Sequence, residues 1–392
     1  MTPSQAPRTI VLAVMAGHFV ASFAALGMPP FFALILEQSL HNDARYLAGW
    51  LYVVPTAFAA LSSPWWGKLA DRYGKKQLLI RAQLGLAASF LMAGFATNTW
   101  VFFAALALQG ILGGTFAASN AYLSTIASGP ALARSLTAMQ WSARAALVAA
   151  PLTLGLALHG AIHSPIEMYR YLALLPLSAA ALALCLPAGA AAQKVAARHA
   201  AVAAAEATPR QVYTLQFVFV FATVVTFPYF APDVQQRFAG LSTSVAGLLF
   251  GLPHAVYLLA ALPLTRWLAS GRRTPILAAA FAVLALSLAG QAMTDGLAGL
   301  VAWRLLMGLA MTAGFIALHG LIAAVVHDSN AGRAFGWFES SAKWGAVAAG
   351  LSAGFAAQAF GLHAPLLLGA ALGAGSLAYL TMAPQHRLGA ST

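Results

Sequence analysis

The sequence predicts an all-α membrane protein of twelve transmembrane helices in two six-helix bundles related by a pseudo-twofold axis. Three observations carry this. The 392 residues are 61% hydrophobic and only 8% charged, with a mean hydropathy of +0.78, against about 25% charged residues in soluble domains. Apolar runs of about 20 residues, long enough to span a bilayer as a helix, recur along the whole chain. The second half also repeats the first in order. A β-barrel is disfavoured, because its strands would read as alternating segments of about 10 residues.

Twelve apolar runs give the spans: 9–36, 46–66, 77–97, 100–127, 132–159, 167–187, 211–232, 243–268, 275–293, 297–326, 331–358 and 365–384. The first run follows Arg8 but is too long for the h-region of a signal peptide, so it is expected to remain as a span. Between the sixth and seventh spans lies the Ala-rich stretch 188–210, expected to be a partly helical linker. It divides the chain into an N-terminal bundle, 1–187, and a C-terminal bundle, 211–392. The halves match as a series at an offset close to 200 residues. "LAGWLYVVP" from Leu47 pairs with "VAGLLFGLP" from Val245, and "ARSLTAMQWSARAALVAAPLTLG" from Ala133 pairs with "GRAFGWFESSAKWGAVAAGLSAG" from Gly332. Pro30 pairs with Pro228, Gly110 with Gly308, and "HSP" at His163 with "HAP" at His363. An even number of spans per repeat makes the repeat parallel, with its axis along the membrane normal.

The net charge of +12 reads as topology rather than nucleic-acid binding, because Lys and Arg gather in cytoplasmic loops. With both termini in the cytoplasm, fifteen of the 21 basic residues lie at cytoplasmic ends or loops, only Arg45, Arg170 and Arg237 lie outside, and Arg144, Arg304 and Lys343 fall within spans. One cysteine, Cys185, excludes an intramolecular disulfide. No Cys/His spacing suggests a metal site. No phosphate loop or nucleophile–base pair is readable, so an enzyme, ATP use and a bound cofactor are not expected.

The loop after the second span reads "GKLADRYGKKQLL", Gly67 to Leu79. An Asp among so many basic residues at a helix end is unusual. The segment resembles the loop signature of the major facilitator superfamily at Gly67, Leu69, Ala70, Asp71, Arg72, Gly74, Lys75 and Lys76. With twelve spans, a six-plus-six repeat and a central linker, the resemblance covers the whole chain. It implies two bundles rocking around a central cavity to give alternating access, with spans 1, 4, 7 and 10 lining the cavity. It also implies that Asp71 holds a cytoplasmic gate shut, with Arg134 and the start of span eleven near Arg333 as its expected partners. The second half keeps only a relic, "TRWLASGRRTP" from Thr265, which lacks the Asp. Two further family signatures are altered. The Arg that precedes a Gly in span four is Leu106 here, whereas the second half has Arg304 before Gly308. The Gly-Pro of span five is Ala150–Pro151.

Charges inside the spans are the candidate binding residues. Lys343 lies ten residues, about 15 Å at 1.5 Å per residue, beyond Arg333, and Arg144 the same distance beyond Arg134. Arg304, His18 and His254 fall at similar depth. A charge at the bilayer centre costs between about 2.5 and more than 10 kcal/mol, so such residues are expected to face a bundle interior or water. Glu339 and Lys343 are spaced i,i+4 with the acid first, the favourable order, and mutual neutralisation within one helix is the alternative to a functional role. The matching sites in span five are Gln140 and Arg144, so the base is kept in kind and the acid is not. Arg144, Arg304, Lys343 and Glu339 sum to +2, which favours an anionic or zwitterionic ligand. Tyr52, Tyr257, Trp337 and Trp344 are candidate apolar contacts, and Asn120 and His319 weaker polar ones. Glu339 is the leading protonation site, and a histidine carrier is the alternative.

These readings give a proton-coupled secondary transporter, expected as a monomer in a bacterial inner membrane. It is expected to export a small organic solute: a drug-like metabolite, an iron-chelating siderophore or a sugar. The runner-up is a proton symporter taking up an organic anion. A non-transporting receptor is disfavoured, because the segments flanking the spans are short.

Overall fold

A computed structural model describes residues 8–42, 47–160, 164–188, 206–238, 240–241, 243–268, 271–326 and 330–382. Arg45, His163, Asp328, Arg387, linker residues 189–205 and the side chain of Tyr52 lie outside this description. Each predicted span coincides with a helix or with two helical segments in series. We number them α1 (Arg8–Gly27), α2 (Leu47–Tyr73), α3 (Lys75–Gly94), α4 (Thr99–Leu123), α5 (Gly129–Gly160), α6 (Pro165–Cys185), α7 (Pro209–Val224), α8 (Thr243–Trp267), α9 (Arg273–Met293), α10 (Leu297–Val325), α11 (Ala331–Phe360) and α12 (Ala364–Met382). Eight of them are long and apolar enough to cross a membrane on length and composition alone. The other four are α2, α5, α7 and α11, of which α7 is the shortest of the twelve.

Four spans are not continuous, the sixth at Ala173, and the sequence explains the breaks in the other three. The first stops at Gly27, because Pro29 and Pro30 cannot donate backbone hydrogen bonds; short helical turns continue to Ser39. The fourth is interrupted at Gly113–Gly114, where Gly114 takes φ +78°, a conformation open to glycine. The seventh ends at Val224, since Pro228 has no N–H for the Val224 carbonyl, and resumes as Phe230–Arg237. Local capping sets the starts. The Asn98 side chain accepts from the N–H groups of Trp100 and Val101 at α4. Thr208 and Gln211 form a capping box at α7, with Pro209 in the first turn.

The chain forms two compact units, Met1–Gln193 with Val326–Val347, and Lys194–Val325 with Ala348–Thr392. In the first, α1 packs on α5 and α6, α2 on α4, and α3 on α4 and α6. The second repeats the scheme: α7 on α12, α8 on α10, and α9 on α10 and α12. The glycines matched by the repeat explain the α2–α4 and α8–α10 contacts. Gly110 lies against the Pro55 carbonyl, and a Cβ added at Gly308 would meet Val256 Cβ at 2.6 Å and Pro253 Cα at 3.0 Å. Each helix can approach its neighbour closely only because the side chain is absent. Cores of buried Phe, Leu, Met and Ala fill the units, around Phe90, Phe102 and Tyr169 in the first and Phe219, Phe281 and Phe315 in the second.

Two of the three arginines that break the charge bias, Arg170 and Arg237, are helix caps. Arg170 Nε donates to the Gly94 carbonyl at 2.6 Å, at the end of α3. Arg237 Nη1 donates to the Gln291 carbonyl at 2.9 Å, at the end of α9. These repeat-related helices thus both end on a guanidinium, which complements the C-terminal dipole.

Candidate functional site

Asp71 sits two residues before the end of α2. Its Oδ1 accepts from the Gly332 N–H and its Oδ2 from the Arg333 N–H, both at 2.8 Å. The carboxylate therefore caps the first turn of α11, where backbone N–H groups have no helical partner and the dipole favours an anion. The approach depends on glycine. Gly67 faces the Gly332 carbonyl, and Gly336 faces the Ser63 carbonyl. A Cβ at Gly332 would lie 2.7 Å from Asp71 Oδ1 and 2.9 Å from Ala70 Cβ. One turn further along α11, Ser340 Oγ donates to the Ala60 carbonyl at 2.7 Å. Of the two partners expected for Asp71, the start of α11 thus supplies both donors, through backbone rather than the Arg333 guanidinium. Arg134 is exposed and makes no bond to Asp71 among the described contacts.

The rest of the loop anchors the surrounding helices. Gly74 takes φ +102° and turns the chain into α3. Arg72 lies over the Tyr73 ring. Lys76 Nζ donates to the Leu184 and Leu186 carbonyls at 2.8 and 2.5 Å, closing the end of α6. Sequence reasoning missed Arg81 and Trp66. The break in α4 frees carbonyls that they take: Trp66 Nε1 donates to Ile111 at 2.6 Å and Arg81 Nη1 to Leu112 at 2.7 Å. The guanidinium stacks 3.4 Å from the Trp66 ring centroid. The signal was the Gly113–Gly114 pair, which implies a break and carbonyls left without a helical partner.

In the middle of the first unit, Lys343 Nζ lies 3.3 Å from Glu339 Oε1. The side chain of Glu339 is 8% exposed and that of Lys343 38%, so the acid is buried and the base partly exposed. His18 of α1 is buried, bonds Ser22 Oγ at 3.1 Å and packs on Phe116 at 5.1 Å. Asn120 is buried on the second segment of α4, and Arg144 is half-buried on α5.

In the second unit, Arg304 is 2% exposed yet has no carboxylate against it among the described contacts. Nε donates to the Leu249 carbonyl at 3.0 Å, Nη2 to the Phe250 carbonyl at 2.5 Å, and Nη1 to Gln291 Oε1 at 3.4 Å. The Phe230 ring lies 4.1 Å beneath it. Pro253 explains the site, because it has no N–H for the Leu249 carbonyl four residues earlier. Arg304→Leu is expected to strand the Leu249 carbonyl at about 1–3 kcal/mol. Thermal unfolding in detergent should fall, and Pro253→Ala should restore part of the loss by returning an N–H. An unchanged melting temperature in Arg304→Leu would refute this role. His254 stands beside Phe250 and Phe227, each at 5.8 Å. Phe315 lies between Tyr257, at 6.2 Å, and His319, at 6.1 Å.

Two acids of the second unit were not singled out from sequence. Asp233 is 2% exposed and bonds Arg237 at 2.7 Å. Glu206 accepts from the Thr274 N–H at 2.9 Å and pairs with Arg273 at 3.5 Å. Burial alone would raise the Glu206 carboxyl, but the bonds from Thr274 and Arg273 outweigh it and hold the group below the usual Glu range. The loop relic of the second half lacks its own Asp, and Glu206 supplies a carboxylate there, at the start of α9.

The sequence model of the Major Facilitator Superfamily matches residues 14–211 and 212–391. The chain is 36% identical over 132 residues to the multidrug resistance protein MdtG of Citrobacter koseri and 35% identical over 131 residues to that of Salmonella arizonae. Each match covers 32% of this chain and 32% of the relative, so the matched stretch spans about a third of the length of these curated relatives. Among solved structures, the human organic anion transporter MFSD10 superposes with a TM-score of 0.78 at 18% identity, over 97% of this chain and 100% of the other. The proton:xylose symporter XylE superposes with a TM-score of 0.76 at 13% identity, over 95% of each chain. At such identities the likeness shows the fold alone. Carried by a family match that runs through both halves, the chain belongs to the major facilitator superfamily of multi-pass membrane transporters.

Proposed function

We propose that the protein is a proton-coupled exporter of a small organic solute, anionic or zwitterionic, working by alternating access. The halves 1–187 and 211–392 are the moving bodies, joined by the linker 188–210. Both termini lie in the cytoplasm of a bacterial cell and the spans cross its inner membrane, an orientation supported by the bias of Lys and Arg to one side. Export is supported by the partial likeness to multidrug resistance proteins.

The observation that carries coupling is the sealed carboxylate of Glu339 beside the more open ammonium of Lys343. The substrate's carboxylate binds the Lys343 ammonium while ionised Glu339 holds a cationic or hydrogen-bond-donating group of the same substrate. A proton on Glu339 removes that second contact and expels the substrate, so proton and substrate alternate at the site, as export against an inward proton gradient requires. His18, buried on α1, is the alternative carrier of the proton. Arg144, the counterpart of Lys343 in the repeat, supplies a second cation. Arg304, His254, Tyr257, His319 and Asn120 shape the pathway rather than carry the proton. Asp71, with Gly67, Arg72, Gly74, Lys75, Lys76, Arg134 and Arg333 around it, forms the cytoplasmic gate.

The test is selectivity. A thermal-shift screen of purified protein against metabolites names ligands, because binding stabilises the folded state. Lys343→Ala and Arg144→Ala are then expected to weaken anionic ligands by about tenfold or more, the equivalent of about 1.4 kcal/mol, and to leave neutral ligands close to wild type. Equal losses for both classes would sink the charge reading.

A further inference from the structure

We propose a buried water-binding site in the first unit, where α1, α3, α4 and α6 meet and where Gln83 Oε1 and Ser119 Oγ together hold one water molecule. A small cavity there is lined by Val14 and Gly17 of α1, Leu79 and Gln83 of α3, Ser119 of α4 and Ala183 of α6. Gln83 and Ser119 are each 1% exposed. Both Gln83 Oε1 and Ser119 Oγ are buried without a protein hydrogen-bond partner.

Neither orphan is an accident of orientation. The Gln83 amide nitrogen donates to the Gly17 carbonyl at 3.4 Å. Flipping the amide would set oxygen against oxygen, so the geometry fixes which end is left over. Ser119 sits in a helix, where a hydroxyl can always fall back on the carbonyl of the preceding turn. Other buried serines of this unit do so: Ser89 bonds Gly85 at 2.7 Å and Ser124 bonds Ala121 at 2.7 Å. Ser119 makes no such bond.

An orphaned polar atom costs about 1–3 kcal/mol in a protein interior. Inside a bilayer no solvent relieves it. Buried waters settle where about 2–4 polar partners converge in a space of roughly one water, whereas cavities lined only by apolar groups stay dry. This cavity has the polar partners and room for about one water, and it is too small for an organic solute. The water donates to Gln83 Oε1 and shares a hydrogen bond with the Ser119 hydroxyl. It thereby ties α3 to α4. Through the Gln83–Gly17 bond it also ties both to α1, one residue before His18. The site is independent of the transport reading.

The test uses the full-length protein in lipid nanodiscs, with hydroxyl radicals generated in isotopically heavy water. Val14 and Leu79 are each 3% exposed, so heavy oxygen reaches them only from a water held in the cavity. Wild type is expected to take up label at both, and unlabelled side chains would overturn the site. In Gln83→Leu/Ser119→Ala the label should be lost; equal labelling would overturn the assignment to these two groups. Thermal unfolding gives a second reading that needs no label. Each single variant is expected to lower the melting temperature, and the double variant to fall no further than the worse single one, since either change already releases the water. Additive losses would also overturn the proposal. Should the double variant not fold, the wild-type labelling still decides.

Discussion

Glu339→Gln is expected to abolish proton-driven transport while leaving ligand binding in place. In inside-out vesicles with an acidic lumen, wild type should accumulate its substrate, and the variant should equilibrate it without accumulation. The glutamine keeps the size and one acceptor oxygen but cannot exchange a proton. It also removes the only described ion-pair partner of Lys343, whose side chain is 38% exposed against 8% for Glu339. A half-open ammonium can be solvated or taken by the carboxylate of a ligand, so binding through Lys343 survives. A sealed carboxylate has no such recourse, which makes it the member whose charge must be switched rather than solvated. Stranding one partner of a buried pair is costly, so a fall in stability alone would not prove coupling. The double variant Glu339→Gln/Lys343→Gln separates the two effects. It should recover the melting temperature and remain uncoupled. Proton-driven accumulation surviving in either variant would remove Glu339 from the carrier role and move attention to His18.

Much of the fold was legible because the bilayer imposes one strong rule, that backbone groups be satisfied within a helix. Twelve apolar runs follow from it, and each coincides with a helix or a broken pair. The repeat was legible for a steric reason. Gly110 with Pro55, and Gly308 with Pro253, are matched in sequence because each glycine packs close beside its proline in space. The breaks were hidden because Gly113–Gly114 lies inside a run that hydropathy reads as continuous, although its dipeptide signals a turn. Composition placed Lys343 and Glu339 in the bilayer, and i,i+4 spacing made them neighbours. It could not say that the acid would be sealed and the base open, because that depends on which face of α11 is covered. Arg304 reads as an unsatisfied charge from its own helix. Its backbone partners are the carbonyls of Leu249 and Phe250 of α8, the first of them freed by Pro253, 51 positions earlier in the sequence, and no periodicity within α10 points to them. The Asp71 motif was recognised, but its partner proved to be backbone, which side-chain chemistry alone does not reveal.

Asp71→Asn is expected to slow transport by about tenfold to a hundredfold with little change in ligand affinity. Asp71 offers two acceptor oxygens to two converging N–H groups, each bond 2.8 Å long. Asparagine keeps one acceptor and turns a second donor toward a donor, so one bond is lost and a repulsion replaces it. The charge that complements the α11 dipole goes with it. Bonds to a charged group contribute about 1.5–3 kcal/mol, which corresponds to the tenfold-to-hundredfold shift, since each 1.4 kcal/mol is a factor of about ten. The shift acts on the state in which α2 and α11 are clasped. If that clasp closes the cytoplasmic side, the variant leaves it too easily and completes fewer cycles. Hydrogen exchange reports the clasp without reference to transport: amides 332 and 333 should lose protection in Asp71→Asn, while those of α9 do not. Gly332→Val should reproduce the phenotype with the carboxylate intact, because a Cβ there would lie 2.7 Å from Asp71 Oδ1 and 2.6 Å from the Gly67 carbonyl. Two substitutions of opposite chemistry, one removing charge and one adding bulk, converge only if the close approach of α2 to α11 is what matters. Normal cycling in liposomes for both would mean that the clasp forms but does not gate.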